Sequence, residues 1–167
     1  MSRLVITGAS ILNQATADIV IDSGKIVEVA KPGAADTFGA RVIDAAGLIA
    51  LPGFVDLHTH LREPGREDAE TVESGTRAAA LGGFTCVHAM ANTEPVADTA
   101  GVVEQVWRLG KEAGWCEVRP IGAVTVGLAG THMAELGAMA ASAAQVRLFS
   151  DDGKCVENVP AAYVHVM

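Results

Sequence analysis

Leu51-Pro52-Gly53-Phe54-Val55-Asp56-Leu57-His58-Thr59-His60-Leu61-Arg62-Glu63-Pro64-Gly65 is the stretch on which the reading of the chain turns. Pro52-Gly53 interrupts whatever precedes it, and the apolar run that follows has the pattern of a strand buried on both faces. Side chains two apart on a strand point the same way, so His58 and His60 are expected to project to one side, ready to share a metal ion. Arg62 has the same parity. If strand geometry continues that far, its guanidinium would reach the same cavity and suit a carboxylate, which it can grip with two parallel hydrogen bonds. Two histidines also fall two apart by chance. The apolar lead-in, the arginine in phase and the Pro64-Gly65 stop favour the metal site.

The composition is compatible with that site and excludes several other roles. At 167 residues the chain can bury one good core, or one core and a small satellite. Half of the residues are hydrophobic and only 4% aromatic, and the small residues Ala, Gly and Val suit close packing of helix on sheet. A formal charge of -8 argues against nucleic acid or an anionic membrane as the main partner and favours a soluble protein. No stretch is long and apolar enough to span a bilayer, and the N-terminus lacks a basic-then-apolar signal pattern. Cys86, Cys116 and Cys155 are far apart, which fits a reducing cytoplasm.

Before the decisive stretch, short β-branched runs alternate with turn residues. Leu4-Val5-Ile6, Ile19-Val20-Ile21, Lys25 to Val29, Arg41 to Asp44 and Leu48 to Ala50 read as strands, with Ser23-Gly24 as a hairpin turn. Residues 1–52 are therefore expected to form a small antiparallel, sandwich-like β unit. From residue 53 the rhythm changes to strand, helix, strand, helix. Strands are expected at 54–60, 85–90, 118–125 and 146–150, with helices at 67–81, 99–113 and 133–144. Such alternation means βαβ units on a parallel sheet, here about four units, or half of a (β/α)8 barrel. Residues 53–167 are thus expected to be a partial barrel of α/β class.

In a parallel barrel, functional groups gather where strands end. The first strand offers His58, His60 and Arg62, the second Asn92, and the fourth Asp151 and Asp152. Singly, Asn92 is a turn residue ahead of a proline and Asp151-Asp152-Gly153 an ordinary Asp-Gly turn. Their shared position at strand ends marks them as candidates. His88 shares a strand face with Cys86 and Met90 and reads as packed or barrel-lining. His132 reads as solvated, and His165 lies in a tail without context.

At these residues the chain resembles the amidohydrolase superfamily, and within it the dihydroorotases of the long bacterial type. The matching segments are Leu51 to Gly65, Gly82-Gly83-Phe84-Thr85 leading to Met90-Ala91-Asn92-Thr93, and Phe149-Ser150-Asp151-Asp152-Gly153. The resemblance implies a zinc enzyme, with one or two ions, that interconverts N-carbamoyl-L-aspartate and L-dihydroorotate in de novo pyrimidine synthesis. It implies that His58 and His60 bind the first zinc. Asp152, rather than Asp151, would bridge to a second. Arg62 and Asn92 would hold the substrate carboxylate, with His60 close by. Implied partners are the small-molecule substrate and either further copies of the chain or aspartate carbamoyltransferase.

Two departures from the family pattern bear on this. Ala91 stands where the motif usually has proline, and the family's two later histidines and its catalytic aspartate lie on strands beyond residue 167. The chain therefore reads as truncated or frame-shifted, and taken alone is expected to be inactive and poorly soluble. An allantoinase or hydantoinase is the alternative of the same class. A non-catalytic, dihydroorotase-like subunit supporting aspartate carbamoyltransferase is the alternative of another class, although such a protein would be expected to have lost ligands.

Overall fold

Alternating β-branched residues and tight turns build the first fifty residues. In the computed structural model, which describes residues 3–154 and 156, β1 (Leu4–Ile11), β2 (Thr16–Asp22) and β3 (Lys25–Ala30) pair antiparallel in sequence order. Ser23 and Gly24 both take positive φ, 50° and 76°, as a two-residue hairpin turn requires. Val5 and Val20 face each other across β1 and β2 and are fully buried. The unit is not purely antiparallel, however. Both β4 (Arg41–Asp44) and β5 (Ile49–Ala50) run parallel to β1, because the loop after β3 carries the chain back along the sheet before it re-enters.

Asp18 is the polar centre of this unit. Its buried carboxylate accepts the N–H groups of Gly8 (2.9 Å), Gly33 (2.8 Å) and Ala35 (3.4 Å), tying the bulge of β1 to the loop after β3. The Gly8 bond does most to hold the Asp18 carboxyl below the usual carboxylate range, against the opposing effect of desolvation.

The chain divides into two compact units after Pro52. In the second, β6 (Phe54–Thr59), β7 (Phe84–Ala89) and β8 (Glu117–Pro120) form a parallel sheet in sequence order. Helices α1 (Val72–Leu81) and α2 (Ala100–Ala113) make the crossovers between them. Helix α1 starts later than the expected 67. Thr71 and Ser74 form a reciprocal capping box, and the Glu63 carboxylate accepts the Val72 N–H at 2.7 Å. Helix α2 ends at Gly114, whose left-handed φ of 68° stops it. Leu61, Val72, Val87, Ala89, Val106 and Val118 form the core between sheet and helices. Gly110 lets α2 sit directly on Val118, where a Cβ would collide with that side chain.

Three expectations for this unit are corrected. Strand β6 is not buried on both faces: Val55 is 53% and Leu57 60% exposed. Among the described residues it pairs with β7 alone, so it is an edge. The strand expected at 146–150 reduces to one parallel bridge, Gly122 with Phe149. The ladder stops there because the next free N–H groups, of Val124 and Thr125, are taken by the Asp151 carboxylate. The helix expected at 133–144 is only α3 (Leu136–Ala141). Met133 and Ala134 are held extended against Thr125 and Val124, which postpones its start. Cys155, His165 and the closing residues 161–167 lie outside the described residues.

Asp18 gives a measurable pH signature. A carboxyl with a depressed folded pKa stabilises fully above its unfolded value, and that stability is lost as pH falls through the folded one. Urea midpoints of this unit are therefore expected to fall as the pH drops below about 4. Asp18→Asn should lower the midpoint at neutral pH and flatten that acid dependence, as urea titrations at a series of pH values would show.

Candidate metal centre

Two of the groups that could hold a metal lie at the C-terminal end of β6, and the third in a turn beyond the Gly122–Phe149 bridge. His58 is the penultimate residue of β6, and His60 follows the strand's end. Their Nε2 atoms lie 3.3 Å apart. Asp152, in the turn after Ser150, brings Oδ2 to 3.4 Å from His58 Nε2 and 3.6 Å from His60 Nε2. These three atoms make a nearly equilateral triangle, and among the described residues this is the cluster of donors spaced to hold an ion. A tetrahedral zinc with bonds of about 2.0–2.1 Å to nitrogen and oxygen has neighbouring ligands about 3.3–3.4 Å apart, so the triangle matches one face of its coordination shell.

The tautomer also suits a metal. His60 Nδ1 lies 2.9 Å from Asn92 Oδ1, and with the amide oxygen as acceptor Nδ1 carries the proton. Nε2 then presents its lone pair to the triangle, the arrangement that an outer hydrogen bond imposes on a metal-binding imidazole.

The adjacent acids divide the work. Asp151 is 4% exposed. Its Oδ1 accepts the N–H groups of Val124 (2.8 Å) and Thr125 (3.0 Å), while its Oδ2 accepts the hydroxyl of fully buried Thr125. Asp151 anchors the loop, and Asp152, the next residue, faces the histidines.

Arg62 departs from the parity argument. Strand geometry ends at Thr59, and Arg62 adopts a left-handed φ of 61°. Its side chain is exposed, and its guanidinium makes no hydrogen bond or ion pair among the described residues. The Arg62 and Asn92 loops nonetheless meet closely. Glu94 N donates to Pro64 O at 2.9 Å, and Gly65, at φ 106°, lies so near the Glu94 backbone that no side chain would fit. Ala91 is buried, and its carbonyl accepts the Ala97 N–H at 3.0 Å, closing the loop that carries Asn92.

Sequence reasoning passed over Asp56 and Thr125. Asp56 Oδ1 accepts the His58 N–H at 3.0 Å, a local bond that an aspartate two residues ahead can signal. Thr125 gave no signal, because its hydroxyl matters only through a pairing 26 residues distant. Of the other histidines, the His132 ring hydrogen-bonds the Thr131 hydroxyl, whereas the His88 ring reaches the backbone of β6.

The model of the dihydro-orotase-like family matches residues 47–161, well over half of the chain. The chain is 63% identical to a dihydroorotase of Streptomyces coelicolor over 158 residues, which is 95% of this chain and 36% of that protein. It is 64% identical to a dihydroorotase of Leifsonia xyli subsp. xyli, over 92% of this chain and 35% of the relative. It thus spans about a third of the length of the curated relatives it matches. Among solved structures, the L-hydantoinase of Arthrobacter aurescens superposes with a TM-score of 0.66 at 22% identity, covering 77% of this chain and 29% of that one. A D-hydantoinase from Thermus sp. superposes at 0.53 with 28% identity, covering 73% and 28%. The strand–helix units are therefore part of a (β/α)8-type barrel.

The division between the two acids is open to test. Asp151→Ala strands buried donors and should cost at least about 2–3 kcal/mol of stability. Asp152→Ala should leave thermal unfolding within about 0.5 kcal/mol of the unsubstituted chain. Calorimetric scans of the two variants would separate these roles.

Proposed function

The chain belongs to the dihydro-orotase-like family, and on that footing we propose that it supplies the first metal ligands and the carboxylate-holding groups of a dihydroorotase. The reaction in this reading is the reversible closure of N-carbamoyl-L-aspartate to L-dihydroorotate, a step of pyrimidine synthesis in the cytoplasm. The observation that carries it is the His58–His60–Asp152 triangle, within a segment 63% identical to a dihydroorotase.

His58, His60 and Asp152 would hold zinc, and its presence would supply an activated water and a polarised ring carbonyl. Asp152 Oδ1 makes no hydrogen bond among the described residues, which leaves it available to a second ion. Asn92 fixes the His60 ring through Nδ1 and keeps its own amide N–H groups for substrate oxygens. Arg62, whose guanidinium makes no hydrogen bond or ion pair among the described residues, would take the carboxylate and so orient the ring. A substrate bearing a carboxylate is what this pair of residues favours over hydantoin or allantoin. Retention of the triangle speaks against a purely supporting subunit.

A chimera tests the reading: this chain replaces the matching segment of the Streptomyces coelicolor relative. The chimera should interconvert carbamoyl aspartate and dihydroorotate and leave hydantoin and allantoin untouched. His58→Ala, His60→Ala or Asp152→Ala should lower turnover at least about a hundredfold, since a metal contributes several kcal/mol. Arg62→Met should act chiefly on KM, raising it about 10- to 100-fold for the loss of a charge-assisted pair of about 1.5–3 kcal/mol. Turnover indifferent to the histidines, or a preference for hydantoin, would overturn the assignment.

A further inference from the structure

The two imidazoles stand on a strand that is irregular where they leave it. Asp56 pairs with Val87 and Thr59 with Ala89, so β6 advances three residues while β7 advances two. Leu57 and His58 together oppose the single residue His88, which makes a bulge in a parallel pair. Bulges of this kind interrupt the ladder, re-aim a side chain and gather near functional sites, and they are rare between parallel strands. An interrupted ladder on a strand that, among the described residues, pairs on one side alone would leave His58 loosely held unless other groups replace its bonds.

Those replacements are present. The Asp56 carboxylate accepts the His58 N–H at 3.0 Å. Across the gap, His88 Nδ1 donates to the Asp56 carbonyl at 3.3 Å, and the Thr59 hydroxyl donates to the His88 carbonyl at 2.9 Å. Beyond the bulge the ladder resumes, with Met90 N donating to Thr59 O at 2.9 Å. The bridge runs from the Asp56 side chain, through its own carbonyl, to the His88 ring and back to Thr59. It clamps both sides of His58.

We infer that Asp56 and His88 are positioning residues, which span the bulge between β6 and β7 and so set the spacing of His58 against His60 and Asp152. Neither touches the donor triangle. Each acts through the backbone that presents His58. The inference rests on the reading of that triangle as a metal centre, and it gives His88 a task other than lining the barrel.

The test uses the full chain, with Co(II) as the metal probe. Cobalt affinity and the visible absorption of bound Co(II) are read in the unsubstituted chain, His58→Ala, Asp56→Ala, Asp56→Asn, His88→Ala and His88→Asn. Exchange of the His58 amide is followed by NMR without metal. Asp56→Ala and His88→Ala should each weaken Co(II) binding about 10- to 100-fold, as loss of outer support does. They should also change the absorption band and speed His58 amide exchange. Asp56→Asn keeps the acceptor and His88→Asn keeps an N–H near the Nδ1 position, so both should restore most of the affinity. Cobalt affinity unchanged in both alanine variants, or a lowered Tm with no change in affinity, would overturn the positioning roles alone. Failure of the unsubstituted chain to bind Co(II), or binding that survives His58→Ala, would overturn the metal-centre reading and the inference with it.

Discussion

Three polar atoms within 3.6 Å of one another, on segments as far apart in sequence as residues 58 and 152, need a backbone that does not yield. Brought together without a cation they gain little, because His60 and Asp152 each give up part of their hydration. The scaffold meets that demand from below. Leu61, the neighbour of His60, is 6% exposed and buried among Val72, Val87, Ala89, Val106 and Val118, so the rim of the strand is pinned into the helix–sheet core. From the other direction, Asp151 fastens the third donor to the backbone of Val124 and Thr125. Donor positions are thus set by apolar burial on one side and by a carboxylate cradle on the other.

The periodicity of the second unit carried the strand–helix alternation well. Apolar spacing with a Gly-Gly stop placed α1 and β7, and Val103 and Val106 on the buried face of α2 were legible for the same reason. The elements that went astray share one cause. Residues 118–125, 133–144 and 146–150 have the composition of strand, helix and strand, but their hydrogen bonds go elsewhere. Asp151 takes the N–H groups that would extend the sheet, and Val124 takes the one from Ala134. Pairings across such distances leave no trace in local pattern. The same holds for β4 and β5, whose direction depends on the path of the loop rather than on their own residues.

At the site, the type of residue was readable and its geometry was not. His58 and His60 stood out because alternation on a strand is a strong local rule. Arg62 obeyed that rule on paper only, since the strand ends three residues earlier and φ turns positive. The choice between Asp151 and Asp152 rested on resemblance, because adjacent carboxylates in an Asp-Gly turn look alike until one of them is seen to be buried.

The adjacency of those two acids has a consequence for redesign. The residue that keeps the loop in place and the residue that faces the histidines are separate, so the chemistry at position 152 can be exchanged without asking the loop to re-form. A softer or larger donor there, such as a thiolate or a third imidazole, would inherit a pre-shaped socket. The donor set is in that sense modular, with one replaceable side chain beside a fixed post.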